Sequence, residues 1–84
     1  MGLNEPRIGT LGLHPNPSSG KVYLESIPDN LKLIELMDNL GRVVRKFSNT
    51  VEINLEGLVN GIYFLRIVNT QNVFYIEKVI KYGS

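Results

Sequence analysis

The chain has no cysteine, which excludes disulfides, thiolate metal sites and a thiol nucleophile together. It has a single histidine, His14. A metal site would therefore have to be built from carboxylates, and a Ser-His-Asp relay would depend on one residue beside a proline. His14 is read as structural, with no catalytic residue and no metal ligand assigned. No apolar run approaches the roughly 20 residues that a membrane-spanning helix needs. Charge of one sign is also lacking. Lys and Arg total 9 against 8 Asp and Glu, a formal net charge of +1, and their scatter gives neither the basic field of a nucleic-acid binder nor a polybasic run for anionic lipid. The nearest thing to a cluster, Arg42, Arg45 and Lys46, reads as a solvated strand face. The opening "MGLNEPRIG" has no basic start, apolar h-region or small-residue cleavage site, so no amino-terminal targeting peptide is expected in it.

The remaining chemistry-bearing residues point the same way. Glu25, Glu35, Glu52, Glu56 and Glu77 fall mainly on polar strand faces, where solvated carboxylates are expected, and no spacing marks a glycosidase-type pair. Gly20, Gly41, Gly57, Gly61 and Gly83 are isolated turn glycines, not the Gly-rich strand-to-helix loop that cradles phosphate. Tyr23, Tyr63, Tyr75, Tyr82, Phe47, Phe64 and Phe74 would form a stacking platform only if several shared an exposed face. Tyr63 alternates with Leu65 and Ile67, which places it in the core. No cofactor is implied.

What is present is one small domain's worth of strand. The chain is 84 residues long, 43% hydrophobic and 20% charged, values that fit a single globular core. Residues 1–10, with Pro6 and Gly9, are short of periodic apolar positions and read as a linker. Leu11 and Leu13 alternate over a short strand that His14 and Pro15 end, and Asn16, Pro17, Ser18, Ser19 and Gly20 supply turn chemistry. In "KVYLESI" Val22 and Leu24 oppose Tyr23 and Glu25, the period of a half-buried strand. "LKLIELM" is apolar on both faces, with Ile34 and Leu36 taken as its core side. Asp38, Asn39, Leu40 and Gly41 form a hairpin connection to "RVVRKF". "VEINLEGL" sets Val51, Ile53 and Leu55 against Glu52, Asn54 and Glu56. "IYFLRIVN" sets Tyr63, Leu65 and Ile67 against Ile62, Phe64, Arg66 and Val68, "TQN" turns the chain, and "VFYIEKVIKY" closes it. About seven short, regularly spaced strands predict an all-β fold, a two-sheet antiparallel sandwich.

A helix is the competing reading for "NLKLIELMDNLGRVV", which is rich in helix formers. Against it, the Asp38–Gly41 turn cuts the segment below the usual helix length, and its neighbours are strand-like.

Four landmarks then stand in order: "HPNPSSGKVYL", "LIELMDNLGRVV", "INLEGLVNGIYFLRI" and the closing "EKVIKY". Together they resemble the C-terminal sorting domain, type A, of cargo proteins of the type IX secretion system. The family pattern is a Pro-Asn-Pro opening, an Asp-x-x-Gly-[Lys/Arg] turn, a Leu-x-x-Gly-[Ile/Val]-Tyr element and a terminal strand with Lys and β-branched residues. Pro15, Asn16, Pro17 and Gly20 match the first; Asp38, Gly41 and Arg42 the second; Leu58, Gly61, Ile62 and Tyr63 the third; Lys78, Val79 and Ile80 the last. His14 stands where an aromatic is usual, and "YGS" extends past the strand.

The resemblance implies an Ig-like sandwich over residues 11–84 at the carboxyl end of a larger exported protein of a Gram-negative bacterium. The domain itself would be non-enzymatic, although the parent cargo can be an enzyme such as a secreted hydrolase. Its implied partners are the outer-membrane translocon that recognises it and a sortase-like peptidase that removes it. The cut would fall in the linker of residues 1–10, and the cargo would pass through the periplasm to the cell surface or the medium. Strand addition to the edge offered by "EKVIKY" is the expected mode of recognition. A homodimer through an edge strand or strand exchange is a further expectation for so small a sandwich. The alternative reading is an adhesive or carbohydrate-binding module of a secreted enzyme, since sandwiches host many functions.

Overall fold

The computed structural model describes residues 7–8, 11–14 and 20–83. They form eight strands: β1 (Arg7–Ile8), β2 (Leu13–His14), β3 (Lys21–Leu24), β4 (Leu31–Met37), β5 (Val43–Phe47), β6 (Glu52–Asn54), β7 (Gly61–Asn69) and β8 (Phe74–Lys81). No helix occurs among the described residues, so "NLKLIELMDNLGRVV" is strand, turn and strand. One sheet runs β1-β8-β7-β4-β5 and the other β2-β3-β6. Every pairing is antiparallel except the short parallel one of β1 on β8, where Arg7 meets Tyr75 and Ile8 meets Ile76. The all-β sandwich is thus as the sequence predicts. Periodicity gave no sign of the two-residue β1.

Side-chain alternation builds the core between the sheets. Val22 and Leu24 of β3, Ile53 of β6 and the following Leu55 face Ile34 and Leu36 of β4, Tyr63, Leu65 and Ile67 of β7 and Val79 of β8; all are buried. Removing this apolar surface from water drives folding. Leu11 joins the cluster and Leu13, Phe47, Leu58 and Tyr75 pack against it. Val51 departs from its expected core face. It precedes β6 at the rim of the sandwich, where its amide-plane pairing continues (Leu24 N–H to Val51 O, 2.8 Å) but its side chain is 41% exposed.

Both long hairpins are closed by the same device. In β7–β8, Asn69 Oδ1 accepts the amides of Gln71 and Val73, each at 2.9 Å. In β4–β5, Asp38 Oδ1 accepts those of Leu40 at 2.9 Å and Arg42 at 3.0 Å. A side-chain oxygen holding the amides two and four residues on is the local bonding that favours Asn and Asp in turns.

Two carboxylates expected in solvent are buried instead. Glu35 is paired with Arg66, its cross-strand neighbour on β7, and Arg66 also lies over the Phe74 ring at 5.9 Å. Glu77 points inward from β8 and accepts the amides of Leu11 at 2.8 Å and Gly12 at 3.3 Å. A buried carboxylate needs such partners, because unpaired charge in the interior is costly.

Candidate functional site

The four landmarks lie far apart in the chain, and the fold brings three of them to one end of the sandwich. Pro15, Asn16 and Pro17 lie outside the described residues. Gly20, the last of the matching residues in that landmark, accepts the Leu55 amide of the third landmark at 2.7 Å.

The second landmark is the β4–β5 turn. Asp38 N–H donates to Arg42 O at 2.9 Å and Gly41 N–H to Asp38 O at 3.0 Å, leaving a three-residue loop of Asn39, Leu40 and Gly41. Gly41 has φ +83, the left-handed position that ends this hairpin type and that glycine adopts without steric cost. The Arg42 side chain adds an Nε bond to Asp38 Oδ2 at 2.8 Å. The Arg42 backbone N–H, foremost, then the Leu40 N–H and the Arg42 guanidinium hold the Asp38 carboxyl below its ordinary value of 3.8, against a smaller opposing effect of burial. Because the folded carboxyl releases its proton more readily than the unfolded one, its contribution is full above 3.8 and is lost as pH falls through the folded value. The melting temperature of the chain is therefore expected to fall towards that of Asp38→Asn as the pH is lowered past 3.8. A difference that stays constant across that range would show that the charge of Asp38 does not support the turn.

The third landmark is the crossing from the small sheet to the large one. Tyr63 Oη donates to Val59 O, four residues back, at 2.6 Å, so the ring fills the core while the hydroxyl fixes the loop. This is the logic of a tyrosine corner, and it explains why tyrosine and not phenylalanine suits the position. Leu58 packs against the core beneath the same loop. Arg45 bonds the start of the loop: its Nη1 donates to Asn54 O at 2.8 Å and Glu56 O at 3.1 Å. Of the expected solvated cluster, Arg45 is thus a clamp between β5 and the end of β6, whereas Arg42 and Lys46 are exposed.

The fourth landmark runs beside the third in register, Ile62 opposite Ile80 and Tyr63 opposite Val79, while Lys78 faces Phe64 further along. Val79 is core, Lys78 exposed and Ile80 half-buried. The next residue, Lys81, is buried and its Nζ donates to Gly83 O at 3.0 Å and Asn60 Oδ1 at 3.4 Å, tying the end of β8 to the same loop.

Between the Asp38 turn and the loop that leads into β7 lies an open groove of about 410 Å³, lined by Asp38 and Arg42 on one side and Leu58, Gly61, Ile62 and Tyr63 on the other. Its surroundings are apolar and exposed: Leu40 is 72% exposed, Val59 78% and Ile62 44%. Among the described residues no cluster of His, Asp and Glu could hold a metal ion. A groove with exposed apolar residues beside it, one ion pair and hydrogen-bonded turns can dock a partner.

Sequence reasoning found the landmark residues but not their meeting place, and it missed Arg45, Glu77 and Lys81. Each of those three bonds to backbone or side chains distant in sequence, and hydropathy patterns carry no signal for that.

The described residues form an all-β sandwich in which three of the four landmarks meet at one end. The chain belongs to the secretion system C-terminal sorting domain family, whose profile matches residues 12–82; it is a sorting signal of type IX secretion cargo, of a family that is not catalytic, and it directs export to the cell surface or the medium. Comparison with curated proteins and with solved structures gives no match.

Proposed function

We propose that the type IX translocon reads this domain at the groove between the Asp38 turn and the loop that leads into β7, and that a sortase-like peptidase then cuts within residues 1–10. The observation that carries the reading is convergence: residues of two separate landmarks line one groove, and those of the last strand run beside it in register. Residues that shape turns, such as Gly41 and Tyr63, fix the backbone there, while Val59 and Ile62 supply apolar contact. A shared backbone shape lets one receptor serve many passengers. In this reading Asp38, Gly41, Arg42, Leu58, Gly61 and Tyr63 build the surface, and Val79 supports it from the core.

A reporter carrying residues 1–84 at its carboxyl end is expected to leave the periplasm of a type IX-competent strain and to lose roughly the 9.5 kDa of this domain. An exported reporter of undiminished mass would remove the peptidase from the account and leave the sorting role standing.

A further inference from the structure

Three consecutive residues of β8 hold the opening of the domain. Tyr75 and Ile76 pair in parallel with Arg7 and Ile8. The next, Glu77, takes the Leu11 and Gly12 amides on one carboxylate oxygen, at 2.8 and 3.3 Å. Leu11 and Gly12 are held on their other sides as well. The Leu11 side chain is in the core, and Gly12 O accepts the Glu25 amide at 3.1 Å. Gly12 has φ +78, and a Cβ there would lie 2.8 Å from the Glu25 carboxyl, so only glycine passes this point unstrained. Bonds from amides to an ionised carboxylate are the strong kind. A two-residue ladder by itself is weak. The buried Glu77 contact lies on the same strand, directly after the positions that pair with β1.

Residues 1–10 are also the stretch in which the cut is proposed, and cleavage favours exposed backbone without pairing. We propose that the β8 edge at Tyr75–Ile76 is a strand-accepting surface whose occupant in the uncut domain is the chain's own Arg7–Ile8, latched there by Glu77. Drawing Arg7–Ile8 off β8 then does two things at once: it exposes that backbone to cleavage, and it opens the edge at Tyr75–Ile76 to a strand from a partner. The occupied positions lie directly before the "EKVIKY" stretch expected to serve as the edge. The identity of the partner rests on the sorting reading, whereas the latch does not.

Trypsin, which cuts after arginine, provides the test on the whole chain in solution. Cleavage of the Arg7–Ile8 bond is expected to be about tenfold slower than in a free peptide of residues 1–14, because it waits on local opening. Glu77→Leu is expected to bring the rate close to that of the peptide, with Glu77→Gln, which keeps an acceptor, in between. A second measurement covers the case in which Glu77→Leu does not fold. In Ile8→Pro the fixed φ and missing N–H of proline disfavour the β1 ladder, outside the sandwich, and amide exchange over residues 75–77 is expected to quicken several-fold while the melt is unchanged. Cleavage of the native chain at the peptide's rate overturns the proposal, as does amide exchange in Ile8→Pro that matches the native chain. No export is read here, so a failed latch and a failed sorting role are told apart.

Discussion

Leu65→Ala is expected to destabilise the domain by about 2–5 kcal/mol and to lower its melting temperature by roughly 10–40 °C. Leu65 is fully buried at the centre of β7, with Leu36 of β4 on one side and Glu77 of β8 on the other. Truncating it removes transfer energy and leaves a cavity that the sheets on either side, pinned by their own ladders, cannot close. The whole stability of a domain this small, without a disulfide or metal, is on the order of 4–13 kcal/mol. A single core truncation therefore removes a large share of it. Val59→Ala serves as the control: Val59 is 78% exposed, and surface changes stay within about 0.5 kcal/mol. Denaturant titration of the two variants reads both values. A loss below ~1 kcal/mol for Leu65→Ala would mean that the two sheets do not share this core.

The second large effect is on export. Val59→Asp combined with Ile62→Asp is expected to reduce export of a fused reporter by at least about tenfold, since an anchor position at the centre of an interface carries about 2 kcal/mol or more. Both side chains are exposed beside the groove, at 78% and 44%, so their replacement removes no core packing. It places two carboxylates where docking would strip them of water, and an unpaired charge buried in an interface is strongly opposed. Val51→Asp is the matched control, being similarly exposed at 41% but at the opposite end of β6 from the groove. The melt of each variant distinguishes lost docking from lost folding. Full export of the double variant would move the recognised surface away from the groove.

Much of this architecture is legible without coordinates. Ile34 and Leu36, Ile53 and Leu55, and Tyr63, Leu65 and Ile67 are buried as their alternation predicts, because a period of two is imposed by the pleat itself. Val51 continues the same period and yet is exposed, since periodicity reports a face and not where the opposing sheet ends. Glu35 and Glu77 look alike in the sequence to Glu52 and Glu56, but the first two are buried. Their difference is made by Arg66, 31 positions away, and by Leu11, 66 positions away. Long-range partners of this kind also placed Arg45 across two carbonyls. The site was half legible for a related reason: Asp38, Gly41 and Tyr63 announce turns by their chemistry, but their shared groove exists only once β7 lies between β4 and β8.

The central claim is that this sandwich is a type IX export address in its own right. The measurement that tests it most directly is the fraction of a periplasmic reporter found outside the outer membrane when residues 1–84 are fused to its carboxyl end, in paired strains with and without the type IX channel. The account predicts that the reporter reaches the surface or the medium in the first strain and stays periplasmic in the second. A reporter retained equally in both, or exported equally by both, would contradict it.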